Sequence, residues 1–138
     1  MAHYILVHGA WEGSWTWEDT IPTLEKKGHT VTTVDLPGSI GNKQAIPLVT
    51  LASYVQTVID VVERFDHKVI LAGHSLGGAV ISGVAERLPE KVERLIYVTA
   101  FLLKNGDSVY EAMKRDPDGE YLPALNFSED QSYVTVSE

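Results

Sequence analysis

Cysteine is absent from this chain, so neither a disulfide framework nor a thiolate-bound metal can form. Positive charge is scarce as well: 11 Lys and Arg stand against 19 Asp and Glu, a net charge of −8. Nucleic acid and anionic membrane surfaces reward a basic patch, so this balance speaks against both as partners. No long apolar run is present. The opening Met1-Ala2-His3-Tyr4-Ile5-Leu6-Val7-His8-Gly9 lacks a positive leader region, and its apolar stretch is too short for a signal core or a membrane span. It reads as a strand instead. Together with the missing cysteine, this sets a cytoplasmic location as the expectation. Internal repeats and low-complexity tracts are lacking too.

What remains is an ordinary globular composition: 138 residues, 44% hydrophobic and 22% charged, enough for one domain with a buried core. The acids are unevenly placed. Residues 107–138 hold eight of them against Lys114 and Arg115, a net −6 that leaves −2 for residues 1–106. That segment reads as a solvated surface stretch.

Four short apolar runs, Tyr4–Val7, Val31–Asp35, Val69–Ala72 and Leu95–Thr99, have the β-branched composition of strands covered on both faces. Helical segments separate them. Trp17, Ile21 and Leu24 share a face of the first, which stops at Gly28, with Pro22 near its start or kinking it. After Thr50 as N-cap, Leu51, Val55, Val58, Ile59, Val62 and Phe65 keep helical spacing. A third helix runs from Leu76 to about Leu88, before Pro89, and its small residues let it lie close to a sheet. Strand and helix alternate for about a hundred residues, which predicts an α/β fold with a parallel, doubly wound sheet and helices on both faces. Residues 36–49 form a Gly/Pro-punctuated loop. From Asn105 onward the pattern is irregular, ending in the alternating Ser132-Tyr133-Val134-Thr135-Val136.

The chemistry concentrates in Gly73-His74-Ser75-Leu76-Gly77-Gly78. A buried strand runs into G-x-S-x-G and a helix follows at once, which is the context of a nucleophile elbow with Ser75 as the catalytic hydroxyl. Such a serine sits in a strained turn with positive φ, so its neighbours two residues away on each side must be small. The helix start also presents free N–H groups to developing negative charge. The oxyanion of an acyl-transfer intermediate needs two donors. The Leu76 N–H is one candidate, and the Ala10 N–H, in His8-Gly9-Ala10-Trp11-Glu12-Gly13-Ser14-Trp15, is the other. Trp15 and Trp17 are expected in the core.

On these motifs, residues 3 to about 104 resemble the α/β-hydrolase superfamily. They are especially similar to its branch of small bacterial esterases, plant methylesterases and hydroxynitrile lyases. The carriers are Val7-His-Gly-Ala-Trp, Gly28-His29-Thr-Val leading to Val34-Asp35-Leu, and Gly73-His-Ser-Leu-Gly-Gly, in the family's order. The resemblance implies a sheet order of 2-1-3-4 and a core at 1–107 that forms the N-terminal half of that fold. It also implies the beginning of a cap at 108–138 and a small-molecule ester as substrate. The lyases of this branch carry a threonine where this chain has Gly9, which tilts the reading to ester hydrolysis. No flavin, nicotinamide or metal motif is present, so no cofactor is expected.

In the family's order, the triad acid and histidine follow the serine, and no histidine follows His74. His3, His8, His29 and His67 sit at strand or helix ends, and the His74 side chain should point away from Ser75. Asp107 lies where some other hydrolases keep their acid, but in Lys-Asn-Gly-Asp it reads as a turn residue. Without an imidazole the hydroxyl stays protonated. Two readings stand at this point. One is a carboxylesterase whose triad Asp and His are absent from this chain, and the other is an inactive remnant that binds a ligand or a partner. Left at the margin, strand 95–99 would offer unpaired backbone to another chain, so a homodimer or a complementing chain is expected there.

Overall fold

The computed structural model describes residues 1–43 and 46–137. Gln44 and Ala45, within the loop expected at 36–49, and Glu138 of the acidic segment lie outside the described residues. The chain divides into two units, Met1–Leu102 and Leu103–Glu138.

The first unit is built on four parallel strands: β1 (His3–Val7), β2 (Thr30–Val34), β3 (Val69–Ser75) and β4 (Val92–Ala100), in the order β2-β1-β3-β4. This is the expected order. The two central strands are the apolar ones, since parallel strands covered on both faces have no solvent side to spend on polar residues. Successive side chains alternate between the faces. Ile5, Val7, Val69 and Leu71 point to one face, against Val58 and Val62 of helix α2 (Leu51–Val62) and Val80 and Val84 of helix α3 (Gly77–Arg87). Leu6 and Ala72 point to the other, where Trp17 and the Ile21 and Leu24 side chains of helix α1 (Thr20–Lys26) cover them.

Local chemistry sets the helix ends. Thr50 and Ser53 form a reciprocal capping box: Thr50 Oγ1 accepts from the Ser53 N–H at 3.0 Å, and Ser53 Oγ accepts from the Thr50 N–H at 2.9 Å. Helix α1 closes through Gly28, at φ +83°, with the His29 N–H donating to the Leu24 carbonyl and the Gly28 N–H to the Glu25 carbonyl. These two bonds are a Schellman closure, which an L-residue at Gly28 would strain.

The strand expected at Leu95–Thr99 begins earlier, at Val92, because Val69 already pairs there. The longer strand brings Glu93 and Arg94 to the sheet margin, both exposed, and it is only partly buried rather than covered on both faces. Strand β2, at the other margin, is also half-buried. In the 36–49 loop, Ile46–Leu48 form a 3₁₀ turn.

The second unit holds helix α4 (Val109–Lys114) and an antiparallel hairpin of β5 (Leu125–Phe127) and β6 (Val134–Val136). The alternating Ser132–Val136 stretch supplies β6. Its partner and the helix were not anticipated, since three to six residues are too few to show a period.

Leu71 is fully buried and Thr50 caps an exposed helix end. Leu71→Ala is expected to cost about 2–5 kcal/mol, and Thr50→Ala about 1 kcal/mol. Urea denaturation of both variants beside the parent chain checks the ranking, and equal losses would contradict this picture of the core.

Candidate active site

Strand β3 ends at Ser75, Leu76 is already helical, and α3 begins at Gly77. The reversal is accomplished at Ser75, whose φ is +50°. Backbone crowding explains the glycines around it. A β-carbon on Gly73 would stand 2.5 Å from the Gly77 carbonyl oxygen, and one on Gly77 would stand 2.6 Å from that of Val7. Strand, turn and helix are therefore in backbone contact, and α3 starts against the end of β1.

Strain gathers around this turn. Among the described residues, four non-glycine residues have positive φ: Trp11 (+60°), Ser75 (+50°), Thr99 (+41°) and Gln131 (+55°). Ser75 and Thr99 lie at the ends of β3 and β4, and Trp11 lies in the loop after β1. Thr99 is the extra residue of a bulge, because His74 pairs with Val98 but Ser75 pairs with Ala100. A β-branched residue at positive φ is a true outlier, and such outliers cluster at functional sites.

The loop after β1 lies against the serine: a β-carbon on Gly9 would be 2.9 Å from Ser75 Cβ. Gly9 is held at both ends. Its N–H donates to Glu12 Oε2 at 2.8 Å, and its carbonyl lies 2.7 Å from His8 Nδ1. His8 is buried, and its Nε2 accepts from the Leu36 N–H at 3.0 Å. A ring nitrogen that accepts carries no proton, so Nδ1 is the donor to Gly9. Glu12 Oε1 lies 3.4 Å from His74 Nε2, and His74 Nδ1 lies 2.9 Å from the Val98 carbonyl. The backbone amides of Ala10 and Leu76 donate to nothing among the described residues.

The structure thus brings Ser75 and Leu76 together at the junction and sets Ala10 in the loop that abuts them. It brings no histidine to the hydroxyl. His3 bonds Thr32 Oγ1 at 2.8 Å, and burial, with His67 beside it, holds its imidazole below the usual range. His29 accepts from the Ala2 N–H, and His67 faces Asp66. Asp107 forms a two-pronged pair with Arg115 at 2.7 and 3.1 Å, and that guanidinium keeps its carboxyl below the usual range. Its N–H closes a turn on Lys104.

Two points depart from expectation. Trp17 is buried, but Trp15 is 55% exposed. Both lie on the 3₁₀ turn Ser14–Trp17, where residues two apart point in different directions, so only one can face the core. Glu12 and Thr99 were not anticipated. Thr99 leaves no trace in the sequence, and Glu12 appears there only as one acid in a loop. A cavity of about 360 Å³ adjoins the loop after β1, walled by Trp11, Trp15, Leu36, Ile40 and Tyr54; Ser75 does not line it. Among the described residues no three His, Asp or Glu side chains group to hold a metal ion, and no helix is long and apolar enough to cross a membrane.

A profile of the alpha/beta hydrolase family matches residues 4–134. A carbendazim-hydrolysing esterase of Nocardioides sp. (strain SG-4G) is 43% identical over 114 residues, covering 79% of this chain and 46% of that protein. Salicylic acid-binding protein 2 of Nicotiana tabacum is 37% identical over 133 residues, covering 94% of this chain and 50% of that one. Among solved structures, polyneuridine aldehyde esterase superposes with a TM-score of 0.82 at 30% identity, covering 93% of this chain and 52% of its own. Two structures of a pyrethroid hydrolase superpose with TM-scores of 0.84 and 0.83 at 29% and 31% identity, each covering 99% of this chain, and 57% and 56% of their own. The chain spans about half the length of these proteins.

The crowding at the turn yields a contrast. Gly73→Ala drives a β-carbon into backbone, whereas at Gly28 nothing lies within 4 Å and only the positive φ opposes alanine. Gly28→Ala is expected to cost about 1 kcal/mol, and Gly73→Ala about 3 kcal/mol or more. Thermal denaturation decides it; a Gly73→Ala chain as stable as Gly28→Ala would contradict the backbone contact.

Proposed function

The chain belongs to the alpha/beta hydrolase family, and on that premise we propose that it carries the nucleophile half of a carboxylesterase site for small esters. Similarity to esterases and methylesterases supports the reaction class. The observation that carries the reading is Ser75 at φ +50° on the strand-to-helix junction, beside a loop whose Ala10 amide, like that of Leu76, donates to nothing among the described residues.

In this reading Ser75 Oγ attacks the ester carbonyl carbon. The carbonyl oxygen becomes an oxyanion that accepts from the Ala10 and Leu76 N–H groups. Collapse expels the alcohol and leaves an acyl-serine, which water then hydrolyses. The serine proton must pass to a base that returns it to the leaving alcohol. All five histidines are engaged elsewhere or exposed away from the hydroxyl, and Asp107 is committed to Arg115. In this reading the triad Asp and His are absent from this chain. The same placement favours a second reading, a chain that binds a ligand or partner without turnover.

The 138-residue chain alone is expected to hydrolyse an activated ester barely above background, with Ser75→Ala changing little. Co-expression with the complementary second half of an esterase relative is expected to give turnover that Ser75→Ala abolishes. Turnover by the chain alone that Ser75→Ala removes would show that a base lies within these residues. If the assembled pair has no Ser75-dependent turnover, the binding reading stands.

Strand β4 supplies a partner proposal. Past Glu93 and Arg94 its Leu95–Thr99 stretch has neither charge nor proline, with Val98 40% exposed at the sheet margin. Such an edge pairs with another strand, so the chain forms a homodimer or takes up a complementing chain there. Sedimentation is expected to show self-association, with slow amide exchange along Leu95–Thr99; a monomer at high concentration with fast exchange there would overturn the proposal.

A further inference from the structure

Glu12 has no part in the acyl transfer, yet both of its carboxylate oxygens are engaged beside Ser75. Oε2 accepts from the Gly9 N–H at 2.8 Å, and Oε1 lies 3.4 Å from His74 Nε2. His74 is anchored on its far side, where Nδ1 lies 2.9 Å from the Val98 carbonyl. A carbonyl and a carboxylate both only accept, so each ring nitrogen meets its partner as a donor, and the tie to Glu12 is made by the doubly protonated ring. Glu12 therefore ties the loop after β1 to the residue preceding Ser75 and, through that residue, to β4. The two side chains are 23% and 30% exposed, more sheltered than the surface pairs that contribute nothing measurable.

The tie acts on one of the two peptide groups that flank Gly9. Gly9 is fixed at its N–H by Glu12 and at its carbonyl by His8. That carbonyl and the Ala10 N–H belong to the same planar trans unit and point in opposite directions, so His8 aims the Ala10 N–H directly, while Glu12 pins the preceding His8–Gly9 peptide and leaves only the two Gly9 dihedrals for the unit to turn about. Resting on the reading of Ser75 as nucleophile, we propose that Glu12 is a positioning residue for the oxyanion site. Its carboxylate, oriented by His74, holds the His8–Gly9 peptide, and with His8 on the Gly9 carbonyl this keeps the Gly9–Ala10 peptide against Ser75 in the donating direction. An Ala10 donor that swings away is lost to the oxyanion, and losing one such donor slows acyl transfer by roughly 10²–10³-fold.

The test uses the 138-residue chain and a fluorophosphonate, which needs no second half of the fold for a single slow event. The Ser75 Oγ–P bond forms, the P–F bond breaks, fluoride leaves and the proton goes to buffer. Labelling of the parent is followed by mass spectrometry beside Ser75→Ala, Glu12→Ala and Glu12→Gln, with amide exchange at Gly9 and, as a fold control, at Leu71. Glu12→Ala is expected to label at least ~10-fold more slowly and to lose protection at Gly9, with Leu71 unchanged. Glu12→Gln is expected to restore both, because its carboxamide oxygen accepts from Gly9 while its NH₂ donates to Nε2 of the singly protonated His74 ring. Equal labelling of the parent and Glu12→Ala overturns the proposal, and so does a glutamine variant that remains slow with an intact Leu71. A parent chain that never labels at Ser75 brings down the nucleophile reading itself.

Discussion

The Val7 carbonyl oxygen stands 2.6 Å from the place where a Gly77 β-carbon would sit, and the Gly77 carbonyl stands 2.5 Å from the corresponding place on Gly73. Backbone meets backbone here without a side chain between, and only hydrogen at the α-carbon permits it. Because β1, β3 and the first turn of α3 share this point, the helix axis, the strand ends and the direction of Ser75 are set together. The core packs around it: Val80 and Val84 of α3 reach Ile5, Val7 and Leu71 because α3 starts so close to the sheet.

That approach explains how three disfavoured backbone conformations coexist within one small region. Residues held in such states cost of order 1–3 kcal/mol each and persist only where the surroundings over-determine them. Here they are over-determined. Phe101 N–H donates to the Ser75 carbonyl at 3.0 Å, fixing the bulge at Thr99, while His8 and Glu12 grip the turn that contains Trp11. Ser75 ends a strand anchored by the fully buried Val69 and Leu71, and Thr99 stands between Val98 and Ala100, both paired to that strand, so relaxing either means moving the end of β3.

Much of this was legible in the residues because the signals were redundant. Val69–Ala72 is apolar, the glycines flank Ser75 at fixed offsets, and Thr50 precedes a helix with clean spacing. Strand, elbow and cap each announced themselves twice. The start of β4 was hidden because Glu93 and Arg94 look unlike a strand, and only pairing with β3 recruits them. The exposure of Trp15 depends on a four-residue 3₁₀ turn, too short to carry a period. Glu12 acquires meaning from His74, more than sixty positions away in sequence, and no local pattern reports a contact of that span.

The position of β1 has a consequence for how the chain acquires its structure. It is first in sequence but central in the sheet, with Tyr4 between Val31 and Ile70. During synthesis β1 can pair with β2 early, yet its other edge and the apolar side chains beside it wait until β3 has emerged. Closing that gap joins segments far apart in sequence, the kind of contact that slows folding. In the interval Ile5, Leu6 and Val7 are exposed on an open strand, where intermolecular pairing competes with the native one. The arrangement that buries β1 most completely in the finished sheet therefore leaves it uncovered longest on the way there.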